Sequence, residues 1–186
     1  GMIIHPTTID DLMVAESKAF KDDRGAFARL FCEQALSSVI GGRKIVQINH
    51  SCTATVGAVR GMHFQHVPHA EMKLVRCLKG KVWDVAVDLR EGSETFGRWA
   101  GVELSAANRR QFWVPPGFAH GFAVTSEHAL FHYFCSTPYD AAADKAIADR
   151  MAVANGQILA RDLVHEPPNV LGTTEFMERA SELTEL

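Results

Sequence analysis

The chain has 186 residues, of which 47% are hydrophobic and 22% charged, a composition typical of a globular domain with a sizeable core. Its formal net charge of −3, with no block of basic residues, argues against nucleic acid as a partner. We find no uncharged apolar run long enough to span a membrane and no signal peptide at the start.

The first forty residues predict strands followed by a helix. Residues 13–32 are expected to form two short strands around a turn at Asp22-Asp-Arg-Gly25, because aspartate and glycine favour turns. Residues 33–40 predict a short helix with its apolar side chains on one face, and Gly41-Gly42 is expected to end it.

From residue 44 to 139 the hydrophobic period changes to two. Strands are predicted at Ile45–Asn49, Val56–Gln65, Lys73–Leu78, Val82–Leu89, Trp99–Leu104, Gln111–Val114, Gly121–Val124 and Leu130–Cys135. Lys79-Gly80 predicts a tight hairpin turn. So many closely spaced short strands indicate an all-β sandwich, barrel or jelly roll. Residues 140–186 predict a peripheral helical segment, so that 1–186 form a single domain.

The four cysteines are far apart, at Cys32, Cys52, Cys77 and Cys135. Because they form no Cys-x-x-Cys pair, they favour neither a zinc knuckle nor a disulfide scaffold. Three lie in apolar, strand-like runs, which predicts small core residues in a reducing compartment, here the cytoplasm.

Several single ionisable residues lie within the predicted strands. On a regular strand Arg60 and His63 would face opposite ways, but Gly61 between them favours a bulge that aims both into one cavity. Lys73 shares a face with Val75, and an inward lysine must either reach solvent or meet an anion. A lone strand histidine or lysine is, by itself, more often a core or edge residue.

Three further residues complete the candidate set. Tyr133 lies in an aromatic strand, His120 follows a Pro-Pro-Gly turn that could present it at the mouth of a barrel, and Asp162 follows Arg161 in a segment without a clear period. Together these residue types supply a base, an orienter for the base, a cation and an acid. Those groups can remove a proton from a carbon beside a carbonyl and return one.

The order and spacing of these residues are more specific than any one of them. The chain closely resembles the dTDP-4-dehydrorhamnose 3,5-epimerase family through Gln47-Ile-Asn-His-Ser51, Val59-Arg-Gly-Met-His-Phe-Gln65, Lys73-Leu-Val-Arg-Cys77, Trp83-Asp-Val-Ala-Val-Asp-Leu-Arg90 and Trp113-Val-Pro-Pro-Gly-Phe-Ala-His-Gly-Phe122. The resemblance runs from about residue 20 to 139 and resumes at 158–162. It implies a cupin-type jelly roll with no metal or other cofactor, acting as a homodimer on a nucleotide sugar, with a dTDP-linked sugar expected.

The resemblance also implies roles for individual residues. The catalytic set would be His63 as base, Asp162 as its orienter, Lys73 at the enolate oxygen and Tyr133 as acid on the opposite face. Arg60 and His120 would bind the sugar and diphosphate, and Gln47, Asn49 and Tyr139 would line the nucleotide side. Arg161 would also bind the substrate. Arg24 and Phe27, on strands 13–32 at the dimer interface, would reach the site of the neighbouring subunit.

Two stretches differ from the family pattern. Arg29 stands where the family has a glutamate that helps to read the nucleotide base, and residues 144–153 are shorter and differ from the usual segment before Asp162. The nucleotide, the sugar and the number of inverted carbons are therefore open at this point.

Three other functions remain open alternatives. A metal-dependent cupin enzyme could use His63, His66, His69 and Glu71 as ligands, although Arg60 and Lys73 would repel a cation. A metal-free 3,4-ketoisomerase of dTDP-sugars would use the same base with different proton transfers. A non-catalytic module could bind a sugar nucleotide without turning it over.

Overall fold

The computed structural model describes residues 1–140, which form twelve strands and one short helix. In chain order these elements are β1 (Met2–Pro6), β2 (Met13–Ser17), β3 (Ala19–Asp22), β4 (Gly25–Ala28), α1 (Ser37–Ile40), β5 (Gln47–Thr53), β6 (Val59–His63), β7 (Lys73–Lys79), β8 (Lys81–Asp88), β9 (Trp99–Ser105), β10 (Arg110–Val114), β11 (Phe118–Val124) and β12 (Ala129–Cys135). The predicted helical segment after Asp140 lies outside the described residues.

Two antiparallel sheets pack face to face. One has six strands in the order β1-β2-β10-β7-β12-β5, and the other has four in the order β6-β11-β8-β9. Phe112 and Phe131 from the larger sheet join Val82 and Phe122 from the smaller one in a single buried cluster. Burial of apolar area between the sheets is therefore the main stabilising contribution to this region. The arrangement confirms the all-β, jelly-roll class predicted from the period-two pattern.

The N-terminal elements differ in detail from the prediction. The hairpin turn after Asp22 is present between β3 and β4, and β1, which was not predicted, pairs with β2. The helix covers only Ser37–Ile40, because Leu36 at its N-cap makes no side-chain capping bond. Gly41 ends it in the left-handed conformation, as predicted.

The predicted hairpin at Lys79-Gly80 is wrong, although the turn itself exists. Gly80 has φ +75, yet β7 lies in the six-stranded sheet and β8 in the four-stranded one. The turn carries the chain across the sandwich, so that the strands before and after it face each other instead of pairing. This crossing places Lys73 and Asp84 on opposite walls of the same interior.

All four cysteines are free thiols. Cys77 and Cys135 are buried, as predicted for small core residues, and Cys32 is half-buried. Cys52, which lies in none of the predicted strands, is exposed. Across residues 1–140 no helix has the length and apolar character needed to cross a bilayer.

Candidate active site

A bulge in β6 brings Arg60 and His63 to the same side of the strand. Opposite them on β11, Phe122 pairs with Arg60 and His120 pairs with His63, so the register shifts by one residue between these pairs. Phe122 and His120 lie two residues apart on the inward face of β11, so Arg60 and His63 share one side of β6, where both side chains are exposed at the opening of the sandwich. This confirms the bulge predicted at Gly61.

The cleft at this bulge has a volume of about 600 Å³. Its lining residues are His50, Ser51, Cys52, Val59, Arg60, His63 and Tyr133. It opens between β5 and β6, each of which ends its sheet among the described residues. Nε of Arg60 donates a 3.1 Å hydrogen bond to Oγ1 of Thr53 on β5, which joins the two walls. The predicted base and the predicted acid thus share one cavity that a small molecule could enter.

Lys73 is buried where β7 begins, and its side chain is only 11% exposed. Its Nζ lies 3.0 Å from Oε1 of Glu71, whose side chain is 7% exposed. The requirement that an inward lysine meet an anion is therefore satisfied by a neighbouring residue of the same chain. The ammonium is therefore held in the interior as a fixed positive charge, and Lys73 is not among the residues that line the cleft.

His120 and Asp84 form a second buried pair. Nε2 of His120 lies 2.7 and 2.9 Å from the two carboxylate oxygens of Asp84, and the side chains are 1% and 0% exposed. Burial raises the pKa of Asp84, whereas the charges of His120 and Lys73 oppose the rise. His120 therefore lies inside β11 and not at the mouth, where the preceding Pro-Pro-Gly turn had suggested it.

Tyr133 sits between this buried pair and the cleft. Its ring packs edge-on against His120, with centroids 6.1 Å apart, and against Phe131 at 4.8 Å. Burial raises the pKa of the Tyr133 phenol well above its usual value; Asp84 raises it further, and Arg60 partly opposes this. A phenol held protonated in this way can donate a proton to a carbanion, which is the role of an acid.

The predicted nucleotide-side residues cluster beside Tyr133. Asn49 on β5 is the direct cross-strand partner of Tyr133. Nε2 of Gln47 donates a 2.9 Å hydrogen bond to Oδ1 of Asn49, and Oε1 of Gln47 accepts one of 3.2 Å from the backbone N–H of Tyr139. The structure thus brings all three predicted residues to the β5 side of the opening.

Arg24 and Phe27 are not brought to this cleft. They lie on the β3–β4 hairpin, where the Arg24 guanidinium binds the Asp22 carboxylate at 2.6 and 3.1 Å. Phe27 is 70% exposed. Their contact with a neighbouring subunit stays a prediction. Asp162 and Arg161 lie outside the described residues.

The ligands proposed for a metal-dependent enzyme do not converge. Glu71 is paired with Lys73, and Nε2 of His69 lies 3.6 Å from a carboxylate oxygen of Asp140. In the part of the chain that the structure describes, no three histidine, cysteine or acidic side chains are placed to hold a metal ion. The four proposed ligands therefore do not form one cluster: His63, His66, His69 and Glu71.

Sequence reasoning missed Asp84 and Glu71 as members of the site. The alternation along β8 put Asp84 on the same face as Val82 and Ala86, and a carboxylate between two apolar neighbours was the available signal. Glu71 carried a weaker signal, because an acid two residues before a lysine is most often a surface ion pair.

Known proteins resemble this chain over most of its length. The model of the dTDP-4-dehydrorhamnose 3,5-epimerase family matches residues 6–158. The dTDP-4-dehydrorhamnose 3,5-epimerase of Shigella flexneri is 46% identical over 147 residues, which are 78% of this chain and 81% of that protein.

Solved structures show the same similarity. The dTDP-6-deoxy-D-glucose-3,5-epimerase of Legionella pneumophila, in complex with dTDP-4-keto-L-rhamnose, superposes with a TM-score of 0.72 at 44% identity, covering 77% of this chain and 76% of that chain. A 3′-monoepimerase from Streptomyces bikiniensis, in complex with dTDP-quinovose, superposes with a TM-score of 0.69 at 28% identity, covering 78% and 76% respectively. The family match includes every candidate site residue that the structure describes.

Proposed function

Because the chain belongs to the dTDP-4-dehydrorhamnose 3,5-epimerase family, we propose that it epimerises a nucleotide-linked 4-keto-6-deoxyhexose, with a dTDP-linked sugar as the expected substrate. The observation that best supports this is the single cleft lined by both His63 and Tyr133, with the ammonium of Lys73 buried on β7, the strand next to β12. Removal and return of a proton beside a ketone need these three groups together.

In the proposed reaction, His63 takes the proton from a carbon that flanks the C4 ketone. The electron pair of the broken C–H bond moves to the ketone oxygen, and the resulting enolate is stabilised by the Lys73 ammonium. A fixed charge in a site sheltered from water stabilises such an oxyanion more than a solvated one does, because it need not reorient during the reaction.

Tyr133 then protonates the carbon from the opposite face, so that its configuration inverts. The raised pKa of the Tyr133 phenol supports this assignment, because the group stays protonated until the enolate requires the proton. Afterwards His63 loses its proton to solvent and Tyr133 regains one from solvent. Asp162, outside the described residues, is proposed to orient His63, Arg60 to hold the sugar and diphosphate, and Arg161 to bind the substrate. His120 is buried against Asp84 and does not line the cleft, so its predicted contact with the sugar and diphosphate is not part of this proposal.

The proposal is tested by incubating the protein with a 4-keto-6-deoxyhexose nucleotide in heavy water and following each ring position by NMR. Deuterium and inverted configuration at both C3 and C5 are expected for a 3,5-epimerase. Inversion at C3 alone would instead favour the activity of the Streptomyces bikiniensis relative, a 3′-monoepimerase. Migration of the ketone to C3 would favour a ketoisomerase, and no exchange at any carbon would contradict the proposal.

Replacing Tyr133 by phenylalanine separates the two proton transfers. We expect Tyr133→Phe to keep substrate-dependent deuterium exchange, because His63 can return a solvent-derived proton to the face it came from. Inversion should fall by roughly 10²-fold or more, the usual contribution of a positioned acid. Both quantities come from the same NMR spectra, so each sample is its own control. Equal loss of exchange and inversion would rule out the assignment of the two groups to opposite faces.

We also propose that the protein acts as a homodimer in which the β3–β4 hairpin packs on a second copy. On this hairpin the exposed fractions of Phe20 and Phe27 are 61% and 70%. Neighbouring exposed aromatic side chains are typical of interaction surfaces. In the described residues, β3 and β4 pair only with each other. The hairpin would then bring Arg24 and Phe27 to the site of the neighbouring subunit.

Sedimentation velocity should give a dimer for the wild-type chain, and Phe27→Ser should shift it toward monomer and lower epimerase activity. Val56→Ser is the matched control, because Val56 is an exposed apolar residue, at 44%, outside the hairpin. A wild-type chain that stays monomeric at every protein concentration would contradict the dimer proposal.

A further inference from the structure

The Glu71 carboxylate is held by two groups inside the protein. Its ion pair with the Lys73 ammonium is 3.0 Å long, and both side chains are nearly closed to solvent. Cys135, the cross-strand neighbour of Lys73, lies close enough to the same carboxylate to interact with it. Burial first, and the charge of Glu71 second, raise the pKa of the Cys135 thiol to about 12, so the thiol keeps its proton and presents a donor to Glu71. Glu71 therefore has a defined position.

That position determines where the Lys73 ammonium can lie. Lysine ends in a flexible four-carbon chain with three rotatable donors, so without a partner its charge would be spread over several rotamers. One donor is used by Glu71, which leaves two for groups in the interior. On the other side, the charge of Lys73 acts on Asp84, which is itself bonded to His120. The ammonium thus pairs with one carboxylate and acts electrostatically on a second, which belongs to the opposite sheet.

We infer that Glu71 is a positioning residue that holds the Lys73 ammonium where the enolate oxygen of the substrate forms. This inference rests on the proposed function. A cation fixed before the reaction stabilises the transition state without the cost of ordering it during the reaction. Glu71 touches neither the sugar nor the transferred protons, and it acts only through Lys73.

The test compares Glu71→Gln and Glu71→Leu, each made in the wild-type chain and in a Lys73→Met background. Glutamine keeps an oxygen that accepts the lysine hydrogen bond, whereas leucine keeps only the bulk. Deuterium uptake into the 4-keto sugar is measured by mass spectrometry, which detects the slow exchange left in the Lys73→Met chain. Glu103→Leu is the matched control, because Glu103 makes an ion pair with Lys81 that is exposed and 3.8 Å long.

In the wild-type chain, Glu71→Leu should lower kcat by about tenfold with KM within about twofold, because only transition-state stabilisation is lost. Glu71→Gln should restore most of that loss, and Glu103→Leu should leave kcat unchanged. In the Lys73→Met background, neither Glu71 substitution should lower the rate further, because a residue that acts through Lys73 has no effect once Lys73 is gone.

Two outcomes would overturn the inference. A similar loss in both backgrounds would show that Glu71 acts independently of Lys73, and melting temperatures would show whether that loss reflects a destabilised fold. Wild-type kcat in both Glu71 variants would show that the ammonium needs no such partner. Failure of the proposed function would differ from both, because the unsubstituted chain itself would then take up no deuterium.

Discussion

His63→Ala should abolish substrate-dependent uptake of solvent deuterium at the carbons flanking the ketone. Alanine has no group that can accept the proton, and the other two β6 residues that line the cleft, Val59 and Arg60, cannot accept it either. Removal of a positioned base typically costs roughly 10²- to 10⁴-fold in rate. The measurement is NMR of the 4-keto sugar nucleotide in heavy water, at protein concentrations high enough to detect the residual rate.

The matched control is His5→Ala, because His5 is an exposed histidine on β1, at the far edge of the larger sheet. It should exchange deuterium at the wild-type rate. Exchange that persists in His63→Ala would mean that another group removes the proton. His50, which also lines the cleft, would then be the first residue to replace.

Gly61→Ala is expected to damage both the fold and the site. A Cβ at this position would lie 2.6 Å from Cα of Gly121 and 2.8 Å from the carbonyl oxygen of His120, and φ is +115, where side chains are strained. Overpacking together with backbone strain should lower the free energy of unfolding by about 3 kcal/mol. Epimerase activity should fall more than the folded fraction does, because Arg60 and His63 would no longer face the cleft together.

Gly92→Ala is the control for Gly61→Ala, because it introduces backbone strain without a steric clash. Gly92 also has a positive φ, of +79, but a Cβ there would meet nothing within 4 Å. Denaturant unfolding should therefore show a loss of only about 1 kcal/mol for Gly92→Ala, with activity per folded molecule unchanged. Equal effects of the two substitutions would contradict the argument that β6 must approach β11 closely at the bulge.

Local signals in the sequence predicted the parts of the site that depend on single strands. A glycine between Arg60 and His63 predicted the bulge that brings them together. The inward face of Lys73 predicted that its ammonium must either reach solvent or meet an anion, and the structure shows the second. Both features depend on local backbone geometry and on the cost of burying a charge, which can be read from neighbouring residues.

Features that depend on how the sheets meet could not be read in this way. The turn at Gly80 was predicted, but the sequence does not say whether the strands around it pair or lie in opposite sheets. For the same reason, the sequence assigned Asp84 to a face of β8 but did not identify its partner His120, which is 36 residues further along the chain. Glu71 was named only as a ligand of the metal-dependent alternative, because its burial beside Lys73 depends on how the strands pack.

The opening between β5 and β6 has a consequence for engineering this protein. Among the described residues, each of these strands has a single neighbour, whereas Lys73 and Asp84 belong to strands with neighbours on both sides. Substitutions on β5 can therefore disturb the pairing with only one neighbouring strand, β12. The ion pairs in the interior stay in place. Directed evolution toward sugars carried on other nucleotides could thus start from a library restricted to Gln47, Asn49 and Ser51.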